Sequence, residues 1–223
     1  MPIRICLIHA IQEAIAPARA AFEQAWPEAQ LVNLLDDSLS VDRAASDTLT
    51  ASLSARIAAL ARHAIDTGAT GVLFTCSAFG EAIEAARANT SIPMLKPNEA
   101  MFEEALETGS RIAMLATFRP SIASMESEFT DLMKARSERA TLESTWVPDA
   151  MNALRSGDVA THDRLLAEAA AQLKDYDALM LAQFGMARAK TSVSAVVNYP
   201  VLTSPGSAVV KLKSLISSRG GTR

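Results

Sequence analysis

Short apolar runs alternate along this chain with longer stretches whose apolar positions return at helical spacing. Arg4-Ile5-Cys6-Leu7-Ile8 is such a run, and it is followed by a helical stretch from about Ala14 to Trp26 with Pro17 in its first turn. Gln30-Leu31-Val32-Asn33-Leu34-Leu35 reads as a second strand, Asp36-Asp37-Ser38 as a turn, and Val41 to Ile65 as one long helical region ending at Gly68. Gly71-Val72-Leu73-Phe74 is the third strand. It stops at Thr75-Cys76, and small residues then lead into the helix formers Glu81 to Ala86. Ile92-Pro93-Met94-Leu95 is a fourth short strand, and Asn98 is placed to cap a helix from Glu99 to Leu106. Strands alternating with helices of this length predict an α/β fold with parallel pairing and right-handed crossovers.

The second half repeats the first at a constant offset of 107 residues. Arg111 to Leu115 falls on Arg4 to Ile8, Phe129 on Phe22, and Pro200-Val201-Leu202 on Pro93-Met94-Leu95. Ala178 to Met186 lies over Gly71 to Phe79, which puts Gln183 where Cys76 stands. Two pseudo-symmetric lobes follow, each a short parallel sheet flanked by helices. The first comprises residues 1–97 plus about 204–223, and the second residues 98–203. A cleft between them would receive the strand ends of both, with Cys76 and Gln183 on opposite walls.

Composition narrows the function. At 223 residues, 49% hydrophobic and 21% charged, the chain is long enough for a sizeable core, and its net charge of −4 with no basic stripe argues against nucleic acid as a partner. Cys6 and Cys76 are the two cysteines, without CxxC spacing or a Cys/His cluster, so neither a disulfide framework nor a metal site is expected and reduced, cytoplasmic thiols are the simpler reading. The apolar run from Ile3 to Ile15 is interrupted by Arg4, His9, Gln12 and Glu13, too polar for a signal peptide, and no segment reads as a membrane span. GxGxxG, Walker, HExxH and GxSxG patterns are missing, and nothing calls for a cofactor. The Ala-rich helices near residues 55–64 and 166–172 read as lobe packing or as a subunit surface, so a homo-oligomer is compatible with them.

Cys76 is the residue most suited to chemistry. A thiol where a strand ends and a helix begins faces the ligand crevice of an α/β sheet, whereas its plainer reading is a small buried hydrophobe. Cys6, inside the first strand, reads as core. His9 follows that strand and is read either as a hydrogen-bonding or proton-carrying group in the cleft or as a structural histidine; His63 and His162, within helical patterns, read as surface or packing residues.

Thr75-Cys76-Ser77-Ala78 paired with Leu181-Ala182-Gln183-Phe184-Gly185-Met186, together with Leu115-Ala116-Thr117 and Pro200 to Pro205, resembles the aspartate/glutamate racemase superfamily across nearly the whole chain. That superfamily includes cofactor-independent aspartate, glutamate and hydantoin racemases, maleate isomerases and arylmalonate decarboxylases. The resemblance implies two pseudo-symmetric α/β lobes with the active site between them and a small carboxylate as substrate. In the racemases two cysteines exchange protons on opposite faces of the α-carbon. Here Cys76 matches the first, but the second position is Gln183, whose amide is neither acid nor base near neutral pH.

The same resemblance places Thr117 near the substrate carboxylate and gives Ser77, Ala78, Phe184 and Gly185 a role through backbone N–H groups at two helix starts. Gly185 would allow close approach of a ligand. Arg119 is a candidate carboxylate clamp or an exposed arginine, and Lys96 and Thr203 end the paired fourth strands. The expectation is an isomerase with Cys76 as its single acid/base. The alternatives are a carbon–carbon lyase that decarboxylates an activated dicarboxylate, and a carboxylate-binding protein without turnover.

Overall fold

The computed structural model describes residues 3–46 and 48–220. Residues 1–2, 47 and 221–223, which belong to the expected first lobe, lie outside the described residues. The chain divides into two compact units, residues 1–97 with 208–223 and residues 98–207.

In the first unit the elements run β1 (Arg4–His9), α1 (Ile15–Ala25), β2 (Gln30–Leu35), α2 (Ser38–Ala44), α3 (Ala51–Asp66), β3 (Gly71–Phe74), α4 (Gly80–Arg87) and β4 (Met94–Leu95). All four strands pair in parallel in the order β2-β1-β3-β4. The central strands β1 and β3 are almost wholly buried, as expected of continuous apolar runs covered by helices on both faces. α3 starts at Thr50, whose hydroxyl accepts the Leu53 N–H at 3.2 Å, and ends where Gly68 takes φ +82°. There Gly68 N–H reaches Ile65 O and Ala69 N–H reaches Ala64 O, a Schellman cap that needs the left-handed glycine.

The second unit repeats this order: α5 (Glu99–Thr108), β5 (Arg111–Ala116), α6 (Ile122–Arg136), β6 (Thr141–Trp146), α7 (Ala150–Arg155), α8 (Val159–Gln172), β7 (Ala178–Leu181), α9 (Lys190–Ser194) and β8 (Val201–Thr203). The sheet order is β6-β5-β7-β8, again all parallel, so the two sheets share one topology. α10 (Ser204–Gly220) begins in the second unit and its residues from Ala208 belong to the first. Edge-on packing of Phe102 against Phe129, 5.5 Å between ring centres, anchors the second core. Among the described residues no helix is long and apolar enough to cross a membrane.

The structure departs from the sequence reading in particular places. The expected helix over 41–65 is two helices, because Ala45 ends α2 and Thr50 caps a new start. β6, α7 and α9 were not anticipated. β6 starts 111 residues after β2, not 107, because α6 has 15 residues against 11 in α1, about one extra turn. Asn98 stands at the start of α5 but does not cap it; its Oδ1 instead accepts the Ser204 hydroxyl at 2.8 Å.

Gly71 shows how tightly α10 lies on the first sheet. A Cβ there would come within 2.9 Å of Ile216 Cδ1 and 3.2 Å of both Ile5 Cδ1 and Leu212 Cδ1. Gly71→Val is therefore expected to overpack this contact and lower stability by about 1–3 kcal/mol, measured as a fall in the urea midpoint with an unchanged m-value.

Candidate active site

Parallel pairing brings the C-terminal ends of β1 and β3 to one edge of the first sheet. Thr75 follows β3 and donates its N–H to Ile8 O at 3.0 Å, which ends the ladder. Cys76 comes next in extended backbone (φ −122°, ψ 122°), and a short 3₁₀ turn over Ser77–Phe79 then leads into α4. Phe79 is buried and anchors the turn, while Cys76, Ser77 and Ala78 are half-buried.

Crowding around the Cys76 thiol raises its pKa above the ordinary thiol value, opposed by the Ala78 N–H and by the positive charge of Arg43. At neutral pH the group is thus mainly S–H. Arg43 is held in place by donating Nε to Ala78 O at 3.2 Å and Nη1 to Ser46 O at 2.6 Å, so it ties the end of α2 to the turn after the cysteine. Its place in a polar helical stretch offered no sign of this. Cys6 is only 1% exposed, and burial alone lifts its pKa to about 11.

His9 lies behind this edge, wholly buried. Its Nδ1 is 2.9 Å from Thr75 Oγ1 and its Nε2 is 3.0 Å from Asn33 Oδ1 on β2. Burial lowers its pKa and outweighs the opposing Asn33 hydrogen bond. The ring is then neutral near pH 7, with Nε2–H donating to Asn33 Oδ1 and Nδ1 accepting the Thr75 hydroxyl, whose oxygen also lies 3.4 Å from Ile8 O. Both ring nitrogens are engaged. Thr75 enters the sequence reading only as part of the Thr75–Ala78 motif, and the one hint of Asn33 is a polar residue in the middle of an apolar strand. Lys96, beyond β4, pairs with Glu84 at 2.9 Å.

The equivalent edge of the second unit is built differently. Gln183 follows β7 as Cys76 follows β3, and its Oε1 accepts from both the Thr117 N–H (2.8 Å) and the Thr117 hydroxyl (3.1 Å). Its Nε2 donates to Ser121 Oγ at 3.0 Å, and Ser121 in turn donates to Phe118 O at 2.8 Å. Both ends of the amide are thereby fixed on the turn after β5. Arg119, exposed on that turn, lies over the Trp146 ring at 5.3 Å. Phe184 is buried, and a Cβ on Gly185 would come within 2.9 Å of Leu154 Cδ2 of α7, so helix packing gives a reason for glycine there. Thr203 is buried at the end of β8, where its carbonyl accepts the Ser207 hydroxyl at 3.2 Å.

A half-buried thiol at one strand end and a pinned amide at its counterpart are the chemical contents of the two edges. The profile of the Asp/Glu/Hydantoin racemase family matches residues 13–212. The chain belongs to the Asp/Glu/Hydantoin racemase family. It is an enzyme of the racemase/isomerase type. Among solved structures it is similar to an allantoin racemase from Klebsiella pneumoniae, with 19% identity, a TM-score of 0.72, and 97% of this chain and 89% of that one covered. It is similar also to an aspartate racemase from Picrophilus torridus, at 13% identity and a TM-score of 0.70, covering 96% and 94%. A third is an arylmalonate decarboxylase mutant in its sulfate-associated form, at 18% identity and a TM-score of 0.68, covering 96% and 93%. At such identities these likenesses concern the fold. No curated protein matches the chain.

The two thiols of this family member are expected to separate cleanly in native-state labelling. Iodoacetamide should modify one thiol, at a rate still rising above pH 8 because the Cys76 pKa lies above the ordinary value. Mass spectrometry should place the adduct on Cys76, with none in Cys76→Ser; prompt labelling of Cys6 in the folded protein would contradict the burial described.

Proposed function

We propose that the protein is a cofactor-independent, racemase-like isomerase acting at the α-carbon of a small carboxylate, with Cys76 as its single acid/base. The observation that carries this reading is the fixed amide of Gln183 at the position equivalent to Cys76. An amide with both ends hydrogen-bonded neither takes nor gives a proton, so exchange at the substrate face away from Cys76 falls to water. Cys76 would take the α-proton as thiolate and return one as thiol. The Ala78 N–H and Arg43, both of which favour the thiolate, support the first half of that cycle.

The raised pKa of Cys76 favours a second reading, carbon–carbon lyase action. A group that is mainly S–H at neutral pH is better prepared to give a proton than to take one. In that case an activated dicarboxylate loses carbon dioxide by cleavage of its Cα–carboxyl bond, and the electron pair stays as an enediolate. The Cys76 S–H protonates the α-carbon from one face, and water reprotonates the thiolate.

Amino acids, hydantoins, malonates and maleate incubated in heavy water distinguish the two. Deuterium entering the α-position without loss of substrate supports the isomerase, and release of carbon dioxide supports the lyase. Cys76→Ala should lower either rate by at least about 100-fold; activity that survives intact in this variant would overturn the mechanism. The pH profiles differ in sign. A thiolate base gives a rate that rises toward the elevated Cys76 pKa, whereas a thiol donor gives a rate that is level from neutral pH and falls once that pKa is passed.

Gln183→Cys places a thiol on the second edge and frees the Thr117 donors. The expected outcome is a gain in two-sided exchange, read as faster loss of optical rotation in a substrate that the parent protein deuterates.

A further inference from the structure

The repeat supplies an internal control for the strand end that carries Cys76. In both units the first residue beyond the central strand donates its N–H across the sheet at 3.0 Å, Thr75 to Ile8 O and Ala182 to Leu115 O. The strand end is therefore formed by the same backbone bond whether or not polar side chains lie beneath it. Among the described residues, such a layer exists only in the first unit. The counterparts of His9 and Thr75 at the repeat offset are Ala116 and Ala182, both buried and apolar. Ladder register gives the third counterpart, since Leu7 pairs with Asn33 and Met114 with Ser144. Ser144 Oγ is buried with no hydrogen-bond partner among the described residues, so no comparable network is assembled there.

We propose that His9, Thr75 and Asn33 form a positioning network that holds Cys76 in one orientation. Successive side chains on extended backbone point to opposite sides, so a side chain fixed at Thr75 fixes the direction of the thiol at Cys76. The Thr75 hydroxyl is bonded to His9 Nδ1 at 2.9 Å, and the imidazole is oriented in turn by Asn33 at 3.0 Å. All three groups come from adjacent strands of one sheet, which makes the support rigid. A backbone bond alone leaves the peptide after Thr75 free to rock about the strand end. The network removes that freedom and keeps the thiol in its crowded setting beside the Ala78 N–H.

This assignment gives His9, read from sequence either as a group in the cleft or as a structural histidine, a role one layer behind Cys76. It rests on the reading of Cys76 as the acid/base, but the test does not require the substrate to be known. Thr75→Val removes the hydroxyl with little change in shape, and Thr75→Ser retains it. Alkylation of Cys76 by iodoacetamide is measured against pH in each variant, on protein whose circular dichroism matches the parent. Thr75→Val is expected to lower the midpoint by about half a pH unit, giving roughly threefold faster alkylation at pH 8, as the released thiol reaches water. Thr75→Ser should restore the parent profile. Should Thr75→Val not fold, Asn33→Ala carries the same readout, because Asn33 is half-buried and its loss frees the imidazole.

A parent-like profile in folded Thr75→Val, or in Asn33→Ala where that variant stands in, would overturn the network. The heavy-water exchange of Cys76→Ala separates this from the functional reading. A shifted alkylation profile with exchange independent of Cys76 leaves the network standing and removes the acid/base role. An unshifted profile with exchange that depends on Cys76 does the reverse.

Discussion

Parallel hydrogen bonding between the two central strands of each sheet decides which side chains meet at the strand ends. In the first unit Ile8 pairs with Phe74, so His9 and Thr75 are neighbours just past the ladder and Ala10 and Cys76 are the next pair along. In the second unit Leu115 pairs with Leu181, which puts Ala116 beside Ala182 and then Thr117 beside Gln183. One register thus yields two opposite arrangements. Polar groups fill the inner pair of the first unit and the outer pair of the second. Cys76 has an alanine at the corresponding place and its thiol is not bonded across the sheet, whereas Gln183 meets a threonine that takes its amide oxygen twice.

The energetic consequences follow from burial. A buried polar group costs free energy unless it is hydrogen-bonded, so a network at a strand end must be complete or absent. His9 satisfies both nitrogens by remaining neutral, which burial itself enforces. Gln183 satisfies its amide through Thr117 and Ser121. Cys76, with the Ala78 N–H beside it, needs no fuller network because a thiol is a weak donor and a weak acceptor and tolerates apolar surroundings. The same surroundings that make it inexpensive to bury also hold on to its proton. The chemistry of this thiol is therefore coupled to its packing, which the Ala78 N–H and then Arg43, anchored on two backbone carbonyls, oppose.

How much of this was legible follows from what periodicity can encode. Strands β1, β3, β5 and β7 are built on apolar runs, and the 107-residue offset ties them together within the sequence itself. β6 escaped because Thr141-Leu-Glu-Ser-Thr-Trp146 holds two apolar residues, Leu142 and Trp146, on a half-exposed edge, and because the extra turn of α6 moves it out of register. The break between α2 and α3 was hidden by an Ala/Leu/Arg-rich stretch that favours helix on both sides of Thr50. At the site, the strand-end positions of Cys76 and Gln183 were readable, since each ends an apolar run. The bonds joining His9 to Asn33, Arg43 to Ala78, and Gln183 to Thr117 and Ser121 were not. They link residues 24 to 66 positions apart, and no local pattern records which polar side chain a neighbouring strand will present.

The internal repeat shows how such different chemistry can occupy one sheet topology. Each sheet is stabilised by its own ladder and core, so the residues just beyond the ladder contribute little to holding the strands together and are open to change. A thiol and a buried imidazole on one copy, and a self-satisfied amide on the other, are two solutions to the same local problem of ending a parallel strand in a partly buried place. Their difference has a direct chemical meaning. Proton transfer at a carbon centre needs an ionisable group, and a glutamine locked by three hydrogen bonds offers none at the end of β7. With Cys76 as the proposed acid/base, the stereochemical course is set by which face of the substrate meets its thiol.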